Sequence, residues 1–554
     1  MKAYSEALQQ QSLARRLALR DNGFSPFRPS EFDTIPSVFA AQVAQRPHKP
    51  AIRSDGVSTT YAELDRLSHG ITAALRDRPS LEQAPIPLVI SGNAYFAAAV
   101  LGVLRAGRSY IPLDVTFPES RNHQIIDQSD ANVVLTERHQ KEAASRLAGP
   151  HRILIAVDEI PPTTADLPND GRPDALACVI FTSGSTGVPK GVRQTQRNIL
   201  KVVERYTNGL CVGHGDRVSL LSSCSVTASV APLLSALLSG ATLCAFPVRE
   251  RGLRRLANWV DAEEISLYHS VPSLFRHLMR SLVSSRVLTT LQVVRLGGDT
   301  AYKEDWKLFV QHCRDDAVLV NSYGCSEISS IARFYMDARS QIAGDVLPVG
   351  YSMPGVDLSL SSADRTQTVM EQEGGDVSRS EVGEIVISSR YLSPGYWSAT
   401  LRSGADERTQ ETSGDVRQYR TGDLGFLDSH QGLVHVGRAD SQVKILGHRV
   451  ELAEIDAALH AFPGVKEAAT LVVASSGGER QISSFVEMET PAVDSASCIR
   501  EFAQGRLPRH MVPTVITVLT RMPCTPNGKI DRAELQKISD SLREANSSVE
   551  KGAL

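Results

Sequence analysis

The feature that most constrains this chain is the repeated alternation of short β-branched runs with stretches of helical periodicity. The runs at 88–90, 131–136, 153–157, 177–181, 218–221, 293–296 and 318–320 are short, apolar and separated by helical patterns. Such alternation builds βαβ units around a mainly parallel sheet, so the expected fold class is α/β. After about Val349 the texture changes to glycine- and serine-punctuated strands at 356–360, 383–388 and 432–436, with polar loops at 362–381 and 403–415. These predict an antiparallel β subdomain closing the large N-terminal part. From Gln442 the pattern becomes strand, helix (451–460), strands (468–474 and 481–487) and helix (497–506), enough for a small α+β domain. A chain of 554 residues exceeds what one core usually serves. The expected division is a core domain over 1–440 and a mobile lid domain over 441–554.

Composition excludes more than it identifies. A net charge of -3 gives no general attraction to nucleic acid or to anionic membranes, so any phosphate site must be local. The eight cysteines form no CxxC pair and no His/Cys ligand spacing, which disfavours structural zinc and a disulfide framework. The N-terminal segment lacks the apolar centre of a signal peptide, and a cytoplasmic protein is the expectation. The charge-free stretch from Ala84 to Leu104 has roughly the length of a membrane span. Its interior, Ser91 to Tyr95, breaks that reading, and a buried strand (86–90) followed by a core helix (95–106) fits better.

Chemistry concentrates in a few segments. TSGSTGVPKG, over 182–191, leaves the end of an apolar run. Its glycine-freed amides, the Thr182, Ser183, Ser185 and Thr186 hydroxyls and the Lys190 ammonium suit the oxygens of a triphosphate. It is not a Walker loop, because no GK[ST] opens a helix. A flexible linker would have no reason to follow a core strand. NSYGCSE, over 321–327, follows another strand and sets a carboxylate, Glu327, where a divalent cation could relieve its repulsion from phosphate. Read alone, it is also a turn with a solvated glutamate. Arg438 and Asp440 in GRAD equally describe a structural ion pair, and Lys529 in PNGKIDR equally describes an exposed loop lysine.

Taken together and in this order, these segments resemble the adenylate-forming superfamily, which includes acyl-CoA synthetases, luciferases and the adenylation domains of nonribosomal peptide synthetases. TYAEL (60–64), LGVLRAGRSYIPLD (101–114), GGD (297–299), YRTGD (419–423) and GRAD (437–440) extend the match over nearly the whole chain. GRADSQVKILGHRVELAE, over 437–454, is closest to peptide-synthetase adenylation domains. The resemblance implies ATP and Mg²⁺, with a carboxylic acid condensed to an acyl-AMP and pyrophosphate released. It implies a phosphate loop of Thr182, Ser183, Gly184, Ser185, Thr186, Gly187 and Lys190. Gly297, Gly298 and Asp299 would lie against the adenine and Tyr323 would pack on it, Asn321, Ser322 and Gly324 would belong to the nucleotide site, and Ser326 would contact the α-phosphate. Glu327 would bind the metal, Asp423 would hold the ribose hydroxyls, Arg438 would make a second ribose or phosphate contact, His435 would belong to the nucleotide site, Asp440 would be a hinge and Lys529 would be catalytic with Glu327 and Thr182. Departures are Cys325 for proline, Ser326 for threonine, Gln196 for histidine and Leu446 for arginine.

By the same resemblance the acid pocket comprises Thr227, Ala228, Ala231, His269, Val294, Leu296, Ser322, Ser330 and Ile331. Peptide-synthetase domains that take α-amino acids usually keep an aspartate where Thr227 stands, and a hydroxyl offers no counter-charge to an ammonium. An acid without a free α-ammonium is therefore expected: hydroxy, keto, aryl or short acyl, with a β-amino acid or another oxyacid remaining open. The sequence shows no carrier domain, so the acceptor expected is a carrier protein's phosphopantetheine thiol supplied in trans. Rival readings are an acyl-CoA ligase using CoA, an amide-forming ligase, and a degenerate non-catalytic adenylate binder. No nucleic-acid or membrane partner is expected.

Overall fold

The computed structural model describes residues 10, 12–77, 84–165, 167–183, 189–361, 366–368, 380–397, 409–411, 415–438, 442–445, 447–474, 480–488, 494–523 and 530–552. The chain divides into two compact units, one of Met1–Asp114, Ile126–Thr182 and Gly191–Ala439, the other of Val115–Ile125, Ser183–Lys190 and Asp440–Leu554.

The first unit holds three sheets. In the nine-stranded sheet the strands Thr242–Ala245, Arg217–Leu220, Leu267–Ser270, Val293–Gly297 and Val318–Tyr323 are adjacent and parallel. Val293–Gly297 and Val318–Tyr323 are buried at every residue, as strands covered on both faces must be. Alternate side chains enter different cores. Val293 and Val320 join Leu233 and Leu237 of the helix Val230–Leu238, whereas Val294, Leu296 and Leu319 pack with Phe275 and Phe309. A seven-stranded sheet places Leu176–Thr182 and Lys190–Thr195 side by side. The third sheet is antiparallel and includes Gly383–Ser389, Arg417–Asp428 and Gly432–Arg438. The α/β class with an antiparallel subdomain is as the sequence led one to expect. The last strand runs two residues past the expected Val436, which sets Arg438 opposite Asp423.

Local chemistry explains the segments that carried the resemblance. TYAEL is a capping box: Glu63 accepts from the Thr60 amide at 2.8 Å, and the Thr60 hydroxyl accepts from the Glu63 amide at 3.2 Å. The next residue, Tyr61, is fully buried and donates to the Ala241 carbonyl at 2.7 Å, fixing the turn after LLSG. The charge-free stretch forms the strand Ile86–Val89 and the helix Ala94–Arg105, within one residue of expectation. Among the described residues no helix is long and apolar enough to cross a membrane.

In the second unit the hairpin Gln442–Ile445 and His448–Glu451 leads into the helix Leu452–His460. A sheet of Val465–Ala474, Arg480–Met488 and Val515–Leu519 follows, with the helix Ser495–Gln504 between its last two strands. Val450, Ile455, Leu459, Val486 and Ile499 fill its core.

Candidate active site

The strand Val318–Tyr323 delivers NSYGCSE to its C-terminal end, where open α/β sheets bind ligands. The chain then turns sharply. Cys325 accepts main-chain bonds from Ile328 (3.3 Å) and Ser329 (2.7 Å), and Ser329 takes a left-handed φ of 70°. A Cβ on Gly324 would lie 1.7 Å from the Ser329 carbonyl oxygen, so the turn requires glycine there.

That turn buries Glu327, which is 4% exposed. One oxygen of its carboxylate accepts from the hydroxyls of Tyr396 (2.8 Å) and Tyr419 (3.0 Å). The backbone around it is held as well: Gln194 donates to the Ser326 carbonyl at 2.8 Å, and the Ser393 amide to that of Glu327 at 2.8 Å. Gln194, Tyr396 and Ser393 were not among the expected site residues. The phenol of Tyr419 was visible only as the first letter of YRTGD.

A second buried carboxylate lies beside Tyr323. Asp423 accepts from the Tyr323 hydroxyl at 2.5 Å through one oxygen and from Arg438 at 2.7 Å through the other, with His435 at 3.6 Å. Tyr323 and His435 have ring centroids 5.6 Å apart, and burial drives the phenol's pKa well up, so it remains a donor. Four residues expected around a nucleoside are thus brought together by one strand end and one hairpin.

Other expected residues have different positions. Asn321 donates its amide to the Leu347 and Pro348 carbonyls at 3.3 and 2.9 Å, so that nitrogen anchors a loop. Gly298 has φ of 87°, and Asp299 accepts from the Thr300 amide at 2.7 Å. Thr182 ends its strand, and Lys190 is exposed at the start of the next. Ser183 is buried and donates to the Arg449 carbonyl, both in the second unit. Gly184, Ser185, Thr186, Gly187, Asp440, Leu446 and Lys529 lie outside the described residues. Gln196 is buried at the first position of the helix Gln196–Leu210 and accepts from the Ile35 amide at 3.0 Å, a packing role.

The residues expected to line an acid pocket do not all share one face. Thr227 sits in a single 3₁₀ turn, Thr227–Ser229, before the helix carrying Ala231, and Ala228 is exposed. The Thr227 hydroxyl donates to that of Ser326 at 2.9 Å, which brings the two expected positions into contact. Ser330 is buried, and Ile331 packs in the core with Tyr323 and Met353. His269 is paired in register with Arg295, and Gly297 with Ser322. Residues paired across parallel strands share a face, so Val294 and Leu296 point away from His269 and Ser322 into the Phe275 core. Their places on the His269 face are taken by Arg295 and Gly297.

The family model for the AMP-binding enzyme matches residues 39–397, more than half of the chain. The chain belongs to the AMP-binding enzyme family. It is an ATP-dependent, AMP-forming ligase. This AMP-binding enzyme is 31% identical over 503 residues to phenyloxazoline synthase MbtB of Mycobacterium tuberculosis, covering 90% of this chain and 34% of that relative. It spans less than half the length of each of the curated relatives it matches. Its fold resembles the Vibrio cholerae adenylation domain AlmE, solved in complex with glycyl-adenosine-5'-phosphate. The TM-score is 0.78 at 18% identity, over 93% of this chain and 100% of that one. It also resembles NpsA-ThdA, an artificially fused adenylation-PCP di-domain from Klebsiella oxytoca, with TM-score 0.76 at 21% identity over 88% and 94% of the two chains.

Proposed function

We propose that this enzyme activates a carboxylic acid lacking a free α-ammonium and passes the acyl group to the phosphopantetheine thiol of a carrier protein, in natural-product biosynthesis. The observation that carries the choice of acid is the Thr227 hydroxyl, bonded to Ser326 where an amino-acid enzyme would need a carboxylate. The fused adenylation-PCP neighbour supports the choice of acceptor.

In the first step a carboxylate oxygen of the acid attacks the α-phosphorus of ATP, the bond to the β-phosphate breaks, and pyrophosphate leaves with the electron pair. Asp423 and Arg438 hold the ribose, and Ser326 orients the α-phosphate. Glu327 fits Mg²⁺, because its carboxylate is buried and fixed by two phenols. One carboxylate completed by phosphates and water is the usual magnesium arrangement, and the ion when bound neutralises charge on the departing pyrophosphate. Lys529 orients the attacking oxygens and neutralises charge at the pentacoordinate centre. Residues 441–554 then turn about Asp440, withdrawing Lys529, and the thiol displaces AMP from the acyl carbon.

Two outcomes test this reading. Asp423→Ala is expected to weaken ATP binding by at least about tenfold, because a charge-assisted contact present in ground and transition states alike is lost. Calorimetric titration with a non-hydrolysable ATP analogue checks it, and unchanged affinity with reduced turnover contradicts the ribose assignment. For the acid, wild type should favour hydroxy or keto acids over matched α-amino acids by at least about tenfold, the scale of an unsatisfied buried polar group. Thr227→Asp should narrow or reverse that ratio in acid-dependent pyrophosphate release. A wild-type preference for the amino member contradicts the substrate class. Presenting the adenylate to a carrier protein, CoA and a simple amine in parallel decides the acceptor.

A further inference from the structure

Arg295 is 8% exposed and lies on the His269 face of the nine-stranded sheet. The other buried arginines each donate to an oxygen that can balance or solvate them. Arg105, Arg121 and Arg276 reach Asp65, Glu454 and Asp305 at 2.7–2.9 Å, and Arg205 and Arg333 reach main-chain carbonyls at 2.8–3.2 Å. Arg295 has neither kind of partner among the described residues. Its guanidinium donates to the imidazole Nε2 of His269 and lies over the ring of Tyr206, 5.4 Å from the centroid. Its Nε is buried without a hydrogen bond.

The neighbours prepare this cation to meet an anion. Burial and Arg295 itself hold His269 well below the ordinary histidine pKa, so the imidazole is neutral. An arginine can only donate, so Nε2 is the acceptor and the ring proton sits on Nδ1, facing the Tyr206 oxygen at 3.4 Å. The guanidinium reaches over Gly297, where a Cβ would lie 3.7 Å from Nη1 and 3.6 Å from the Cβ of Ser322. The hydroxyl of Ser322, itself 6% exposed, is buried without a hydrogen bond. Two unsatisfied buried groups therefore lie together, one residue from Tyr323 and at the strand ends that carry the NSYGCSE turn. Burial lowers the arginine's pKa to about 10, which leaves it charged at neutral pH. An unpaired buried charge is costly unless something supplied later pairs it.

We propose that the acid activated at this site carries a second carboxylate, and that Arg295 receives it with Ser322 beside it. This rests on the adenylation reading above and narrows it from acids without an α-ammonium to dicarboxylic acids. A planar guanidinium with free donors matches a carboxylate in charge and geometry. Val294 and Leu296, on the opposite face, take no part.

The test uses the full chain and three-membered sets of acids: butanoate, succinate and succinamate, then pentanoate, glutarate and glutaramate, then benzoate, phthalate isomers and their monoamides. In acid-dependent pyrophosphate release the dicarboxylate of at least one set should exceed its partners in kcat/KM by about tenfold to a hundredfold, the range for a charged hydrogen bond. Arg295→Gln should remove that preference, and Arg295→Lys should keep part of it. Binding of a non-hydrolysable ATP analogue at wild-type affinity verifies that each variant is folded. Preference for the monocarboxylate or amide in every set overturns the assignment, as does a dicarboxylate preference that Arg295→Gln leaves intact. Calorimetric titration of the same acids separates this inference from the reading it rests on. Dicarboxylate binding that Arg295→Gln abolishes supports the assignment even without pyrophosphate release, in which case adenylation alone is contradicted. Absence of both binding and release overturns both.

Discussion

Lys529→Ala is expected to slow adenylate formation by on the order of 10²- to 10³-fold while leaving ATP affinity within about twofold, the pattern of an interaction made in the transition state. The attacking carboxylate and the α-phosphate repel one another until charge is redistributed at phosphorus, and a cation inserted between them acts mainly at that moment. Single-turnover pyrophosphate release at saturating ATP and acid measures the effect. A near-normal rate removes the lysine from the mechanism. Thioester formation from preformed adenylate should be much less affected, because the proposal withdraws Lys529 before the second step.

Gly324→Ala is expected to have a comparable effect for a different reason. Its methyl group would fall 1.7 Å from the Ser329 carbonyl oxygen, which no rotamer change can relieve because the Cβ position is fixed by its own backbone and the oxygen belongs to the backbone opposite. The turn must open, and it is the turn that places Ser326 and the Glu327 carboxylate against the Tyr396 and Tyr419 hydroxyls. A displacement of about 1 Å at a reacting centre costs on the order of 10²-fold in rate. The overpacking itself should cost about 1–3 kcal/mol of stability. Pyrophosphate release and thermal unfolding report the two separately. Wild-type values of both contradict the close approach described for this turn.

The sheets and the carboxylates were legible in the sequence, and the limits of legibility have a physical pattern. Alternation of apolar runs with helical stretches announces a parallel sheet, and Glu327, Asp423 and Arg438 follow from motifs a few residues long. What sets those carboxylates in place comes from far along the chain: Tyr396 is 69 residues from Glu327, and Gln194 is 132 from Ser326. Nothing local marks such partners.

The face of a strand is hidden for another reason. In VVRLGG every residue is apolar, small or buried, because the sheet is covered on both sides, and the period-two signal that reveals inward and outward positions disappears. A one-residue slip in reading such a strand exchanges Val294 and Leu296 for Arg295 and Gly297. The slip exchanges a pocket without charge for one with a buried cation. Asn321 illustrates the converse, since its side chain reads as a ligand contact in the motif while its amide serves two carbonyls of the 347–348 segment.

Formation of an acyl-adenylate from ATP by this chain's own residues underlies every role proposed above. The most direct measurement is acid-dependent exchange of labelled pyrophosphate into ATP, screened across hydroxy, keto, aryl and dicarboxylic acids and their α-amino counterparts, with Lys529→Ala as the control. Exchange is expected with an acid that lacks an α-ammonium, dependent on Mg²⁺ and suppressed in the variant. Binding of ATP with no exchange above the acid-free rate for any acid, in wild type and variant alike, would contradict it.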